Sequence, residues 1–312
     1  MFTDSTGRLQ PAWAFIVSAL MCCAAFVLCG YFAAAIAGDH VLRFEAIFRP
    51  SLAAVLLAGL SWLLTVGNHV ESHQLAAQGL PLTQGWSRQF AIGAGLAFVL
   101  VLLAVGVLGM LGHLSFRVIL SSHSLQRTLV VLFVFATGSL AEELMFRGYP
   151  FQRLAEAIGA GGAILVFSTL FGLVHVLNPG ASAWGLLNTV VIGVALSVAY
   201  LRTRALWMPW GFHFAWNTTL GLIAGLPVSG IRMFNTVVHA TAQGPKWLTG
   251  QSYGLEASLP AAAAVVVSLL FFWRAPLPFL GNTQAQDSSA TETDRAASDV
   301  NTSSHPPVDL GI

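Results

Sequence analysis

Two adjacent carboxylates, Glu142 and Glu143, stand in the apolar run Leu140-Ala141-Glu142-Glu143-Leu144-Met145-Phe146-Arg147. A charge at the centre of a membrane helix costs about 2.5–3.5 kcal/mol, so such a pair needs partners or chemistry to do. Glu143 and Arg147 are four positions apart and share a helical face, with the acid N-terminal to the base, the favourable order. Glu142 is turned about 100° away. The spacing therefore predicts a division of labour in which Glu143 is tied down by Arg147 and Glu142 points elsewhere. The structural alternative is a single ion network at the membrane edge, since Gly148 and Pro150 end the helix there.

His175 follows Phe171-Gly172-Leu173-Val174, which places Phe171 on its face. His213 and Asn217, in Gly211-Phe212-His213-Phe214-Ala215-Trp216-Asn217, again share one face, a turn apart. In hydrocarbon each of these polar groups needs a partner. Taken singly, His175 reads as a core histidine, and His213 with Asn217 as interhelical hydrogen-bonding groups. Taken together, beside an ion pair, they predict one shared polar cavity.

Such a cavity suits water activation. A carboxylate in a partly apolar pocket serves as general base. An imidazole shares the water or passes a proton to a leaving amine. A His N–H and an Asn amide aimed at one point form an oxyanion hole. No Ser or Cys nucleophile is placed among these groups, which favours direct attack by water and needs no cofactor. Zinc is the rival use of two His and one or two Glu. The His-Glu-x-x-His arrangement is absent, however, and the histidines lie 38 positions apart.

The rest of the chain must hold these groups in a membrane. Of its 312 residues 56% are hydrophobic and 9% charged, against about 25% charged in a soluble domain. With a mean hydropathy of +0.74, the sequence reads as a polytopic, all-α transmembrane bundle. Its net charge of +1 offers no patch for nucleic acid. Cys22, Cys23 and Cys29 all lie in the first apolar run and read as small lipid- or core-facing residues. That run is too long for a signal-peptide core and reads as a retained helix.

A helical span takes about 20 apolar residues. Eight segments qualify: 12–37, 47–67, 90–112, 127–146, 160–178, 183–201, 205–225 and 257–273. The connection at 179–182 is short, so its flanking helices should be antiparallel neighbours. The connections at 68–89 and 226–256 read as solvated loops or interfacial segments. The sequence divides into N-terminal transmembrane helices (1–127), a polar-site core (128–225), a loop with a last span (226–280) and a Ser-, Thr-, Ala- and Pro-rich tail (281–312) that is expected to be disordered. The charge-poor, Ala-, Leu- and Gly-rich composition points to a prokaryotic inner membrane. The basic residues divide so evenly between the two sides that they barely set an orientation.

Three motifs in order, Glu142-Glu143-x-x-x-Arg147, Phe171-x-x-x-His175 and His213-x-x-x-Asn217, resemble those of the CPBP family of intramembrane proteases, which includes the Rce1-like type II CAAX prenyl endopeptidases and the Abi or bacteriocin self-immunity proteins. The resemblance covers residues 128–225. It implies a helical core with a conical, water-accessible cavity. It also implies Glu142 as the water-activating glutamate, His175 as its assistant, His213 and Asn217 as the oxyanion pair, and Glu143 with Arg147 as structural support. The expected partners are the lipid bilayer and a peptide or membrane-protein substrate, prenylated in the CAAX case. The competing classes are a non-enzymatic immunity or scaffold protein using the same cavity, and an ion-coupled transporter. The latter is disfavoured because no internal repeat is visible.

Overall fold

The structure is a computed structural model that describes residues 2–3, 9–37, 76, 78–82, 84–233 and 236–276. The expected span at 47–67 and the polar tail at 281–312 lie outside these residues, as do His69, Glu71 and His73.

The described chain is mostly helical. Its helices are α1 (Pro11–Ala37), α2 (Trp86–Met110), α3 (Ser122–Arg147), α4 (Tyr149–Ile158), α5 (Ala160–Val174), α6 (Ala183–Thr203), α7 (Trp207–Thr218) and α8 (Leu259–Arg274). Four stretches are long and apolar enough to cross a membrane: Trp86–Met110, Ser122–Ile158, Ala160–Leu177 and Ala183–Thr203. They coincide with the expected spans at 90–112, 127–146, 160–178 and 183–201. Pro11–Ala25 within α1 and Leu259–Arg274 are shorter apolar helices.

The expected span at 205–225 is not one continuous α-helix. α7 stops at Thr218, and a π-helical turn follows over Thr219–Ile223. Such turns inside helices cluster at functional sites, and this one begins two residues after Asn217.

Local signals set the breaks. Ser121 caps α3 through a reciprocal capping box with Ser124. Gly148 ends α3, and Pro150 sits in the first turn of α4, where its missing N–H removes no helical bond. Gly159, at φ 85°, turns the chain from α4 into α5.

α5 and α6 pack as the antiparallel pair that the short connection predicts. A Cβ on Gly172 would meet Leu186 and Val190, and one on Gly193 would meet Ser168, so the contact order runs in reverse. α2 and α7 touch backbone to backbone at Gly93 and Gly211, where a Cβ would lie 2.1 Å from the Met208 carbonyl and 2.2 Å from that of Phe90. Small residues permit this closeness in membrane bundles.

The core between α3, α4, α5 and α6 is aromatic. Phe146 meets Phe171 edge-on at 5.1 Å, and Phe151 meets Tyr200 at 5.7 Å. This places the C-terminal end of α3 firmly against α5.

One element is absent from the sequence reading. Leu114–Val118 (β1) pairs antiparallel with Val238–Ala242 (β2), Leu114 opposite Ala242 and Val118 opposite Val238. The segment at 226–256 is thus a structured connection. It also holds a two-residue turn at Ser229-Gly230 and a helical turn at Lys246–Thr249.

Candidate active site

α3 presents its two glutamates on different faces. Glu143 and Arg147 are fully buried, with Arg147 Nη1 donating to Glu143 Oε1 at 3.2 Å. Glu142 is turned outward, and its side chain is 37% exposed. Arg147 is seated further by α6 and α5: Nη2 donates to the Gly193 carbonyl at 3.3 Å, and the guanidinium lies 4.5 Å from the Phe171 ring centroid.

His213 on α7 stands between the two acids. Its Nδ1 lies 2.8 Å from Glu143 Oε1, the oxygen that already receives Arg147. A carboxylate engaged by a guanidinium is ionised and only accepts, so His213 Nδ1 carries the hydrogen. The other nitrogen, Nε2, faces Glu142 Oε2 at 3.7 Å. That gap is beyond a direct hydrogen bond.

His175 caps α5 and opens a short 3₁₀ turn, His175–Leu177. Its Nδ1–H donates to the Phe171 carbonyl at 2.7 Å, which leaves Nε2 for other partners. Phe171 is the hub of the site: its ring lies 4.9 Å from that of His175 and 6.1 Å from that of His213, beneath the Arg147 guanidinium.

His175 and His213 line one cavity of about 40 Å³ together with Phe171, Asn188, Trp216 and Glu256. It is large enough for water. Glu142 and Asn217 do not line it. Asn217 is half-buried one turn along α7, and its amide has no hydrogen bond among the described residues. The expected single cavity for all four polar groups is therefore two adjoining arrangements. Glu142, Glu143, Arg147 and His213 form one, and His175 faces the cavity across Phe171. Four residues of helix rise, about 6 Å, separate Asn217 from His213 along α7.

Glu256 did not figure in the sequence reading. It lies in the connection before α8, half-buried, with Oε1 accepting from the Trp216 indole at 3.1 Å and Oε2 accepting from the Ser229 N–H. Burial pushes its carboxyl up from the usual range, against the opposing pull of the Ser229 N–H and of His175. A signal was available: residues 100–275 contain only four carboxylates, Glu142, Glu143, Glu156 and Glu256. Among the described residues no three His, Cys, Asp or Glu side chains converge to hold a metal ion.

Residues 124–219, which carry all of this geometry except Glu256, match the type II CAAX prenyl endopeptidase Rce1-like family. Over these residues the chain is similar to that family. It is also similar to "Putative membrane peptidase YdiL" of Bacillus subtilis (strain 168), at 27% identity over 139 residues, 42% of this chain and 55% of that protein. The chain thus spans about half the length of that relative. No solved structure matches the chain.

Proposed function

We propose that this Rce1-like protein is an intramembrane, glutamate-dependent endopeptidase that hydrolyses peptide bonds near the membrane, in the manner of CAAX processing. The observation that carries this reading is the asymmetry of the glutamate pair. Glu143 is buried and committed to Arg147 and His213, whereas Glu142 is accessible and faces His213 Nε2 across 3.7 Å.

In this reading a water molecule occupies the space between Glu142 and His213. Glu142 takes a proton from that water as its oxygen attacks the scissile carbonyl carbon. The carbonyl oxygen becomes an oxyanion, and a donor aimed at it lowers the barrier. His213 is that donor in its doubly protonated form, with Nδ1–H on Glu143 and Nε2–H on the oxyanion, so that the proton taken from water stays on Glu142. Asn217, whose amide has no hydrogen bond among the described residues, is the second donor. Collapse of the tetrahedral centre breaks the C–N bond, and the amine leaves with the proton that Glu142 took. His175 assists from across Phe171. Glu143 and Arg147 hold His213 in register without touching the substrate.

The bundle of about eight spans would place this site at membrane depth in a prokaryotic inner membrane. The substrate class is a peptide or membrane protein, prenylated in the CAAX case. The test is turnover by purified protein in detergent, using a farnesylated Cys-a-a-X peptide beside its unprenylated twin, each with and without chelator. Cleavage confined to the farnesylated peptide and indifferent to chelator supports the reading. Cleavage of neither peptide by folded protein contradicts prenyl-directed proteolysis.

A further inference from the structure

Glu256 lies outside residues 124–219 and outside all three motifs, yet its carboxylate joins α7, which carries one of them, to the turn at Ser229. On one side it accepts from Trp216 Nε1 at 3.1 Å. Trp216 sits on α7 between His213 and Asn217. On the other side it accepts from the backbone N–H of Ser229.

Ser229 and Gly230 form a tight turn, at φ 46° and 84°, closed by reciprocal backbone bonds between Val228 and Ile231. A serine in the left-handed region persists only when its surroundings hold it there. Three contacts do so. Glu256 takes the Ser229 N–H, Asn178 Nδ2 donates to the Ser229 carbonyl at 2.9 Å, and Gly230 N–H donates to the Tyr253 carbonyl at 2.7 Å. Asn178 directly follows the His175–Leu177 turn. Asn188 of α6 braces the backbone of Glu256 itself, donating to its carbonyl at 2.8 Å. One carboxylate thus links α7 to the end of α5, and it lines the cavity that His175 and His213 share.

We infer that Glu256 is a positioning residue of the site, which fixes the His175 turn and the His213–Asn217 helix at one separation by receiving the Trp216 N–H from that helix and the N–H of Ser229, whose carbonyl Asn178 holds beside the His175 turn. The inference rests on the peptidase reading above. Glu256 acts through Trp216, so removal of either partner breaks the same link.

The experiment is a double-mutant cycle on turnover in detergent, read as kcat and KM separately, with the thermal midpoint measured for each variant. Glu256→Gln keeps the shape but presents a single oxygen to two donors. Trp216→Phe keeps the aromatic ring and removes its N–H. Each is expected to lower kcat about tenfold, the scale of a small misplacement, with KM within about twofold. The double variant is expected to be no slower than either single one. Unchanged kcat in Glu256→Gln, or effects that multiply in the double variant, overturns the inference. Should Glu256→Gln fail to fold, Trp216→Phe carries the test, and an unchanged kcat there overturns it equally. If wild type cleaves, Glu142→Gln does not, and Glu256→Gln matches wild type, this inference alone fails. If folded wild type cleaves nothing, the peptidase reading fails and the positioning role goes with it.

Discussion

His213 Nδ1 sits 2.8 Å from Glu143 Oε1, and that same oxygen receives Arg147 Nη1 at 3.2 Å. One buried carboxylate oxygen therefore orients the imidazole and neutralises the guanidinium. The arrangement leaves His213 a single working nitrogen, Nε2, directed at Glu142.

Arg147 is the counter-charge on which this arrangement depends. Arg147→Ala leaves Glu143 buried without its guanidinium, and breaking a buried pair in this way costs about 3–5 kcal/mol. The expected outcome is a large fall in thermal midpoint and poor expression. A variant as stable as wild type but inactive would move Arg147 from structural support into substrate binding.

Gly193 forms the seat of that guanidinium. A Cβ there would lie 3.1 Å from Ser168 Cα and 3.4 Å from Arg147 Nη2. Gly193→Ala should therefore push α5 from α6 or displace Arg147, at about 1–3 kcal/mol for overpacking. Thermal unfolding in detergent checks this, and a midpoint equal to wild type would show that the seat has slack.

Glu256 gives a pH-dependent stability. Burial raises its carboxyl above the ordinary value, so the folded protein holds that proton more tightly than the unfolded chain does. The stability it contributes is fully present below the ordinary carboxylate pKa of about 4.3 and is lost as pH rises through the raised value. The titratable groups facing it, His175, His213 and Tyr253, remain in a Glu256→Gln variant and largely cancel in the comparison. The midpoint of wild type minus that of Glu256→Gln should thus fall as pH climbs from about 4. A difference that stays flat or rises contradicts the assigned shift.

How much of this was legible in the sequence follows from how local each feature is. The Glu143–Arg147 pair and the stop at Gly148 depend on one helix and its cap, and the i, i+4 spacing with a following Gly and Pro announced both. The contact between Phe171 and His175 is local in the same way. The partner of His213 depends instead on how α7 lies against α3 and α2. The resemblance, and not the spacing, implied that His175 assists Glu142, and no spacing rule could have shown that packing also sets His213 Nε2 3.7 Å from Glu142. The pairing of β1 with β2 joins segments more than a hundred residues apart and leaves no periodic signal in either. Glu256 was visible as a rare carboxylate ahead of an apolar helix, yet only the fold brings Ser229 and Trp216 to it.

The central claim is that Glu142, and not its buried neighbour, activates the water. The most direct measurement is single-turnover cleavage of a farnesylated Cys-a-a-X peptide by wild type and by Glu142→Gln, with thermal unfolding of both. The substitution removes the base and keeps the shape of a side chain that is 37% exposed and whose contact with His213 is 3.7 Å long. The account predicts cleavage reduced by about a hundredfold to ten-thousandfold, the range expected for loss of a general base, at an unchanged melting midpoint. Normal turnover in the folded variant would contradict it.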